Sequence, residues 1–152
     1  MAVRRKCEQC HRNRAAKFFT SQRGRVCSFC RKGNTRRASR GQYLWDKYGL
    51  TLDEYEAMRD EQGGVCFICQ RKPRYNLAVD HDHKVEKALV AQGMNPRLAV
   101  HHSIRGLLCK PCNGRLLTAA GDDPARLNRA IVYLLEPPAY DVLEGVLKPW
   151  IS

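Results

Sequence analysis

Four Cys-x-x-Cys pairs, two short apolar strand candidates around a polar cluster, and two well-capped helix starts predict a small α+β protein stabilised by zinc. The pairs are Cys7/Cys10, Cys27/Cys30, Cys66/Cys69 and Cys109/Cys112, and they use all eight cysteines. Zinc takes four tetrahedral thiolate or imidazole ligands, and a tight Cys-x-x-Cys turn presents two of them, so two turns close one site. Sixteen residues separate the first two pairs and 39 the last two. Pairing by sequence neighbours is the simplest assignment, with crossed pairing the alternative. His11, beside Cys10, is a substitute ligand where four sulfurs already suffice.

Each element follows from local signals. Residues 1–33 read as a ribbon around the first zinc. Phe18, Phe19 and Val26 are the sizeable apolar residues read as packing around it, so metal must supply much of its folding free energy. Residues 31–42 read as a basic linker, helical towards its end, with Leu44, Trp45 and Tyr48 on or near one helix face. Thr51-Leu52-Asp53-Glu54 is a capping box, and Leu50 with Tyr55 fits the hydrophobic staple. Leu52, Tyr55 and Met58 mark the buried side of that helix, and Gly63-Gly64 ends it. Leu77-Ala78-Val79 and Ile104 to Leu108 are the strand candidates. Residues 113–120 look helical up to Gly121. Asp123-Pro124 opens a further helix with the stripe Leu127, Ala130, Ile131 and Leu134, stopped by Pro137-Pro138. The tail 139–152 is mildly apolar (Tyr140, Val142, Leu143, Val146, Leu147, Trp150) and reads as a short docking helix or a partner contact.

Charge narrows the function. The 152-residue chain carries a formal +12, and residues 1–40 hold 13 Lys/Arg against one acid, Glu8, while the remainder is balanced. An excess confined to one end points to a polyanionic partner, nucleic acid before membrane surface. No apolar run approaches a membrane span. The opening Met-Ala-Val-Arg-Arg-Lys has charge without a hydrophobic stretch, so no secretory signal is expected, and the cysteines read as thiols or metal ligands rather than disulfides.

Asp80-His81-Asp82-His83 is the densest ionisable group and directly follows an apolar strand. If the strand continues, Asp80 and Asp82 face one way and His81 and His83 the other. Carboxylate beside imidazole offers a hard oxygen ligand and a base that works near neutral pH. The plainer readings are a polar turn at a hairpin end, or ligands for a third transition metal.

Tyr48-Gly49-Leu50-Thr51, Gln62 to Cys69, Val79 to His83, and Arg105-Gly106-Leu107-Leu108-Cys109-Lys110-Pro111-Cys112-Asn113 occur in an order that resembles the recombination endonuclease VII family, phage-type nucleases of the HNH, or His-Me finger, superfamily. The resemblance covers about residues 43–135. It implies a ββα-metal nuclease core with an N-terminal zinc ribbon and flanking helices. Residues 1–40 would be a basic zinc module and linker, 41–136 the nuclease domain and 137–152 a tail. It further implies that Asp80 and Asn113 hold a catalytic Mg²⁺ (Mn²⁺ as alternative), that His81 is the general base, and that His83 contacts the scissile phosphate. Cys66, Cys69, Cys109 and Cys112 would hold one structural Zn²⁺, with Cys7, Cys10, Cys27 and Cys30 holding another. Asp82 has no firm role beyond support of the imidazoles.

The implied activity is a Mg²⁺-dependent DNA endonuclease of junction-resolving, homing or nicking type. Its setting would be the cytoplasm of a phage-infected bacterium, with DNA and no membrane as partner. Phosphate contacts are expected from Arg4, Arg5, Lys6, Arg12, Arg14, Arg31, Lys32, Arg36, Arg37, Arg40 and Arg105. The competing reading is a non-catalytic double-zinc DNA-binding regulator, and RNA stands as a further alternative.

Two departures from the family pattern matter. The 21 residues Lys84 to Ile104 replace a short turn. They suggest an elongated hairpin against DNA or a tolerated surface insertion, and they bring His101 and His102 into competition for the role of His83. No long helix suited to an intertwined dimer is obvious, which leaves a homodimer open and weakens the case for paired cuts.

Overall fold

The computed structural model describes residues 3–142. The chain gathers into two units, one holding residues up to Gly64 together with His81–Gly106, the other Val65–Asp80 together with residues from Leu107 on. The fold is the expected small α+β type, with two two-stranded sheets among helices.

The first unit opens with an antiparallel pair, β1 (Arg4–Lys6) and β2 (Asn13–Ala15), with Arg5 opposite Arg14. This ribbon packs Cys7, Cys27 and Phe19 into a small core, flanked by Cys10, Val26 and Cys30. Phe18 instead packs at a tilt against Phe29, ring centroids 5.0 Å apart. The basic segment expected as a linker is helical throughout. Helix α1 runs from Ser28 to Tyr48, because Arg, Lys, Ala and Gln are good helix formers and its far end buries Leu44 and Tyr48. Trp45 is left half exposed. At 21 residues this is also the long helix that sequence inspection did not find.

Gly49 ends α1 in the left-handed region, φ 61°. A Cβ there would lie 3.1 Å from Arg97 Cγ and 3.3 Å from the Arg97 carbonyl oxygen, so both conformation and space call for glycine. Thr51 then caps α2 (Leu52–Glu61). Its hydroxyl oxygen accepts from the Glu54 N–H at 3.2 Å, and its own N–H donates to Glu54 Oε2 at 2.8 Å, completing the predicted capping box. Leu50 and Tyr55, the predicted staple, are both buried.

Strand β3 (Ala78–His81) pairs with β4 (Ile104–Leu108), matching the two strand candidates. The insertion between them is not an elongated β-hairpin. It forms two helices that contact each other, α3 (His83–Ala91) and α4 (Pro96–His102). The signals were present. Asp82 caps α3, Val85 and Leu89 follow at helical spacing, and Asn95-Pro96 is an N-cap with proline at the first turn.

The second unit carries β3 up to Asp80 and β4 from Leu107, with Leu77, Val79, Leu107 and Leu108 buried. Residues Cys112–Leu117 form a π-helical turn that runs into α5 (Thr118–Ala120), ended by Gly121 at φ 65°. Helix α6 (Pro124–Leu135) starts where predicted, with Asp123 Oδ1 accepting from the Ala125 N–H at 2.9 Å. Its apolar stripe is not a core face, since Leu127 is half-buried while Ile131 and Leu134 are exposed. Periodicity reports amphipathicity, not what covers the apolar side. Of the tail, Ala139–Val142 form a short helix, α7, and the expectation for Leu143, Val146, Leu147 and Trp150 lies outside the described residues.

Candidate active site and metal centres

Among the described residues, three groups of side chains bring donor atoms within 4.8 Å of one another: Cys7/Cys10/Cys27/Cys30, Cys66/Cys69/Cys109/Cys112, and His81/His83/Glu86. The first two are the neighbour pairings predicted, and no cysteine is in a disulfide.

Both cysteine clusters follow one construction. In the first, the Cys7 N–H donates to the Arg12 carbonyl at 3.1 Å and the His11 N–H to the Cys7 carbonyl at 2.9 Å. In the second, the Cys66 N–H donates to Arg71 at 3.1 Å and the Gln70 N–H to Cys66 at 2.9 Å. Each knuckle turns through a left-handed residue just after its second cysteine, His11 at φ 55° and Gln70 at φ 56°. His11 is therefore exposed and spent on the turn, and four sulfurs make the cluster without it. The remaining pair of each cluster opens a helical segment. Cys27 is the N-cap residue of α1, and Cys112 begins the π-helical turn.

Sulfur separations are 3.9 Å for Cys7–Cys30, 3.6 Å for Cys27–Cys30 and 3.8 Å for Cys69–Cys109. Backbone N–H groups of Cys27 and Cys10 bring the Cys7 thiol down to about 6. Burial works against Cys66, yet N–H groups of Cys109, Cys69 and Ile68 bring it to about 6 as well. Burial and the neighbouring sulfurs push Cys30 and Cys112 up to about 12. Cys27 is lowered like Cys7, whereas Cys109 is raised like Cys112. Each cluster thus mixes thiols that ionise readily with thiols that resist it, and four thiolates together call for a cation.

The polar cluster is split by a change of element. Asp80 is 6% exposed on β3, and His81 closes that strand. The strand does not continue through His83, so Asp82 does not line up with Asp80. Asp82 Oδ1 instead accepts from the N–H groups of Lys84 and Val85 at 2.8 and 3.1 Å, and Arg105 stands 3.7 Å from its other oxygen. Those N–H donors hold its carboxyl below the ordinary aspartate value.

The strand expected to align His81 and His83 ends at His81, and the turn into α3 brings their rings together instead, centroids 4.4 Å apart, with Tyr48 edge-on to His81 at 5.9 Å. Glu86 Oε2 lies 3.3 Å from His81 Nε2 and 3.1 Å from His83 Nδ1. Sequence reasoning missed Glu86. Its signal was a position three residues past His83 on a helix that Asp82 caps. His101 and His102 are not part of this group. His101 lines a small cavity with Leu50, Glu54, Met58 and Ile104, its Nδ1 buried without a hydrogen-bond partner.

The family model described as recombination endonuclease VII matches residues 41–136, more than half of the chain. The chain belongs to the recombination endonuclease VII family. The "Gene 59 protein" of Mycobacterium phage D29 is 39% identical over 120 residues, covering 74% of this chain and 63% of that protein. The "Gene 59 protein" of Mycobacterium phage L5 is 38% identical over the same length, with the same coverage. The chain thus spans 63% of the length of these relatives. No solved structure matches.

Within the family region, Asn113 directly follows Cys112 and is half-buried, its N–H donating to the Cys109 carbonyl at 3.0 Å. The second cysteine cluster therefore fixes the backbone that carries it. In the basic arm, several guanidinium groups have internal work. Arg5 donates to the carbonyls of Ser21 and Gly24 and lies over Phe19, Arg14 lies over Phe29, and Arg40 lies over Tyr43 and Tyr55. Arg37 ion-pairs with Glu56 and Asp53 of α2. Arg4, Lys6, Arg12, Lys32 and Arg36 are exposed. Among the described residues, no helix is long and apolar enough to cross a membrane.

Proposed function

We propose that this chain is a Mg²⁺-dependent DNA endonuclease of the HNH class, acting in the cytoplasm of an infected bacterium, with Zn²⁺ in both cysteine clusters. The observation that carries the reading is a buried carboxylate, Asp80, followed by an imidazole, His81, at the end of a strand inside the family-matched region. Zinc suits the clusters because a tetrahedron with Zn–S bonds of about 2.3 Å has sulfur–sulfur edges of about 3.8 Å, and the separations run from 3.6 to 3.9 Å.

Asp80 and Asn113 supply hard oxygen donors, the chemistry that Mg²⁺ prefers over imidazole or thiolate. Bound there, Mg²⁺ would supply positive charge for the phosphate and the leaving oxygen. His81 takes the proton of the attacking water, which its neutral ring can do near neutral pH. The side chain of His83, 65% exposed, is open to a scissile phosphate. Residues 1–40 serve as a cationic arm, 41–136 as the nuclease module and 137–152 as a tail, and the exposed cations of the arm and α1 hold the DNA backbone.

Supercoiled plasmid incubated with Mg²⁺ tests the reading. His81→Ala should slow cleavage by at least about 100-fold, and equal cleavage by wild type and variant removes His81 from the role of base. Binding without cleavage under Mg²⁺ or Mn²⁺ is the outcome expected of a non-catalytic double-zinc DNA-binding protein. Comparison of a four-way junction with a linear duplex then sets the substrate class.

A further inference from the structure

We propose that His81, His83 and Glu86 form a third metal site, for a borderline transition cation of the Zn²⁺ class, and that its occupation switches cleavage off by taking the lone pair of His81. The donor set differs from Asp80 and Asn113. It combines two imidazole nitrogens with one carboxylate oxygen, a set that favours zinc-like cations over Mg²⁺. The spacing fits as well. With metal–ligand bonds of about 2.0–2.1 Å, a tetrahedral site has edges of about 3.3 Å, and Glu86 Oε2 stands 3.3 Å from His81 Nε2 and 3.1 Å from His83 Nδ1.

Regular elements carry these donors. His81 ends β3, Asp82 caps α3 through two N–H groups, and Glu86 sits one helical turn past His83. Without a cation the same contacts form when each neutral ring donates its one N–H to Glu86 Oε2, so metal uptake itself is the property to measure. One cation serves all three donors with both rings neutral. The exposed His83 side chain leaves this group accessible from solvent.

The consequence for His81 is chemical. A neutral imidazole has a single basic nitrogen, and once Nε2 is coordinated the other nitrogen carries the proton. A metal-bound His81 therefore cannot accept a proton from water. The binding site stands on its own geometry, while the inhibitory role rests on the proposed nuclease reading. Glu86 belongs to the inserted helix α3, so the insertion would add an inhibitory ligand to the nuclease core.

The test uses the full chain with Zn²⁺ in both cysteine clusters. Equilibrium dialysis against Zn²⁺, followed by metal analysis, should give a third equivalent in the wild type. That equivalent should bind at least about tenfold more weakly in Glu86→Gln and in His83→Ala, with the first two equivalents retained as the sign of a folded protein. Absence of the third equivalent in the wild type, or equal affinity in both variants, overturns the site. In parallel, the ratio of plasmid cleavage in Mg²⁺ with and without added Zn²⁺ should fall in the wild type and stay near one in Glu86→Gln. An equal fall in both overturns the inhibitory role. If the wild type does not cleave in Mg²⁺ at all, the nuclease reading and the inhibitory role fail together, and the dialysis still decides the metal site.

Discussion

A carboxylate placed before the first turn of a helix satisfies N–H groups that the helix cannot, and Asp82 does this for Lys84 and Val85. Asp82→Ala should cost about 1 kcal/mol in urea unfolding at neutral pH. Because the folded carboxyl titrates below its ordinary value, the charged cap is fully present above the normal aspartate range and is lost as pH falls through the depressed value. The gap between wild type and variant should therefore narrow in acid, and unfolding curves across that range check it. Residue identity alone did not reveal this role. The tetrad Asp80 to His83 was legible as a cluster, but alternation along an assumed strand placed Asp82 beside Asp80. The chain instead turns into α3 at that residue, and the same turn brings Glu86 to the two histidines.

Elements were legible where capping chemistry is local. Thr51 with Glu54, Asp123 with Pro124, and Gly63-Gly64 after α2 mark boundaries that hold in the structure. Gly49 offers the sharpest test at this scale. Gly49→Ala forces an L-residue into the left-handed region, at about 1–2 kcal/mol, against the Arg97 backbone. The variant should unfold at lower urea with an unchanged slope, whereas Gly33→Ala, which meets nothing within 4 Å inside α1, should be neutral or stabilising. The insertion shows the opposite lesson. Asn95-Pro96 is a helix start as good as Asp123-Pro124, but the family pattern has a short turn at that place and so carries no information about these helices. Helix α6 exposes Ile131 and Leu134 because a 3.6-residue apolar period carries no information about a covering partner.

For the whole molecule, charge and metal act together. The first ribbon has only Phe19 with its cysteines as a buried core, so removal of its metal should unfold it. A strong zinc chelator should release two equivalents and erase the amide dispersion of residues 3–27 in NMR spectra, and restoring Zn²⁺ should return it. Cys27→Ser, which removes one ligand while leaving a good N-cap residue on α1, should reproduce the loss without chelator. DNA affinity should fall steeply with salt. Lys32→Ala and Arg36→Ala, exposed on α1, should each weaken binding and reduce the slope of log affinity against log salt by about one. Arg37→Ala should act differently, through the stability of the α1–α2 contact, since its guanidinium pairs with Glu56 and Asp53.

Residue type and spacing alone settled that the cysteines form two four-ligand sets, where the basic arm lies, which strands flank the polar cluster and which family the chain resembles. A tetrahedral ion, a polyanion or a pleated strand reads residue type and spacing along the chain directly. The choice of neighbour over crossed cysteine pairing came from the structure. Only the tertiary structure decided that the basic linker is one 21-residue helix, that the two cysteine clusters share one knuckle-and-helix construction, and that Glu86 joins His81 and His83. Those outcomes turn on where the backbone bends after Tyr48, Cys10 and His81. A bend is set by the hydrogen bonds and packing of residues on both sides of it, so it is not encoded at any one position.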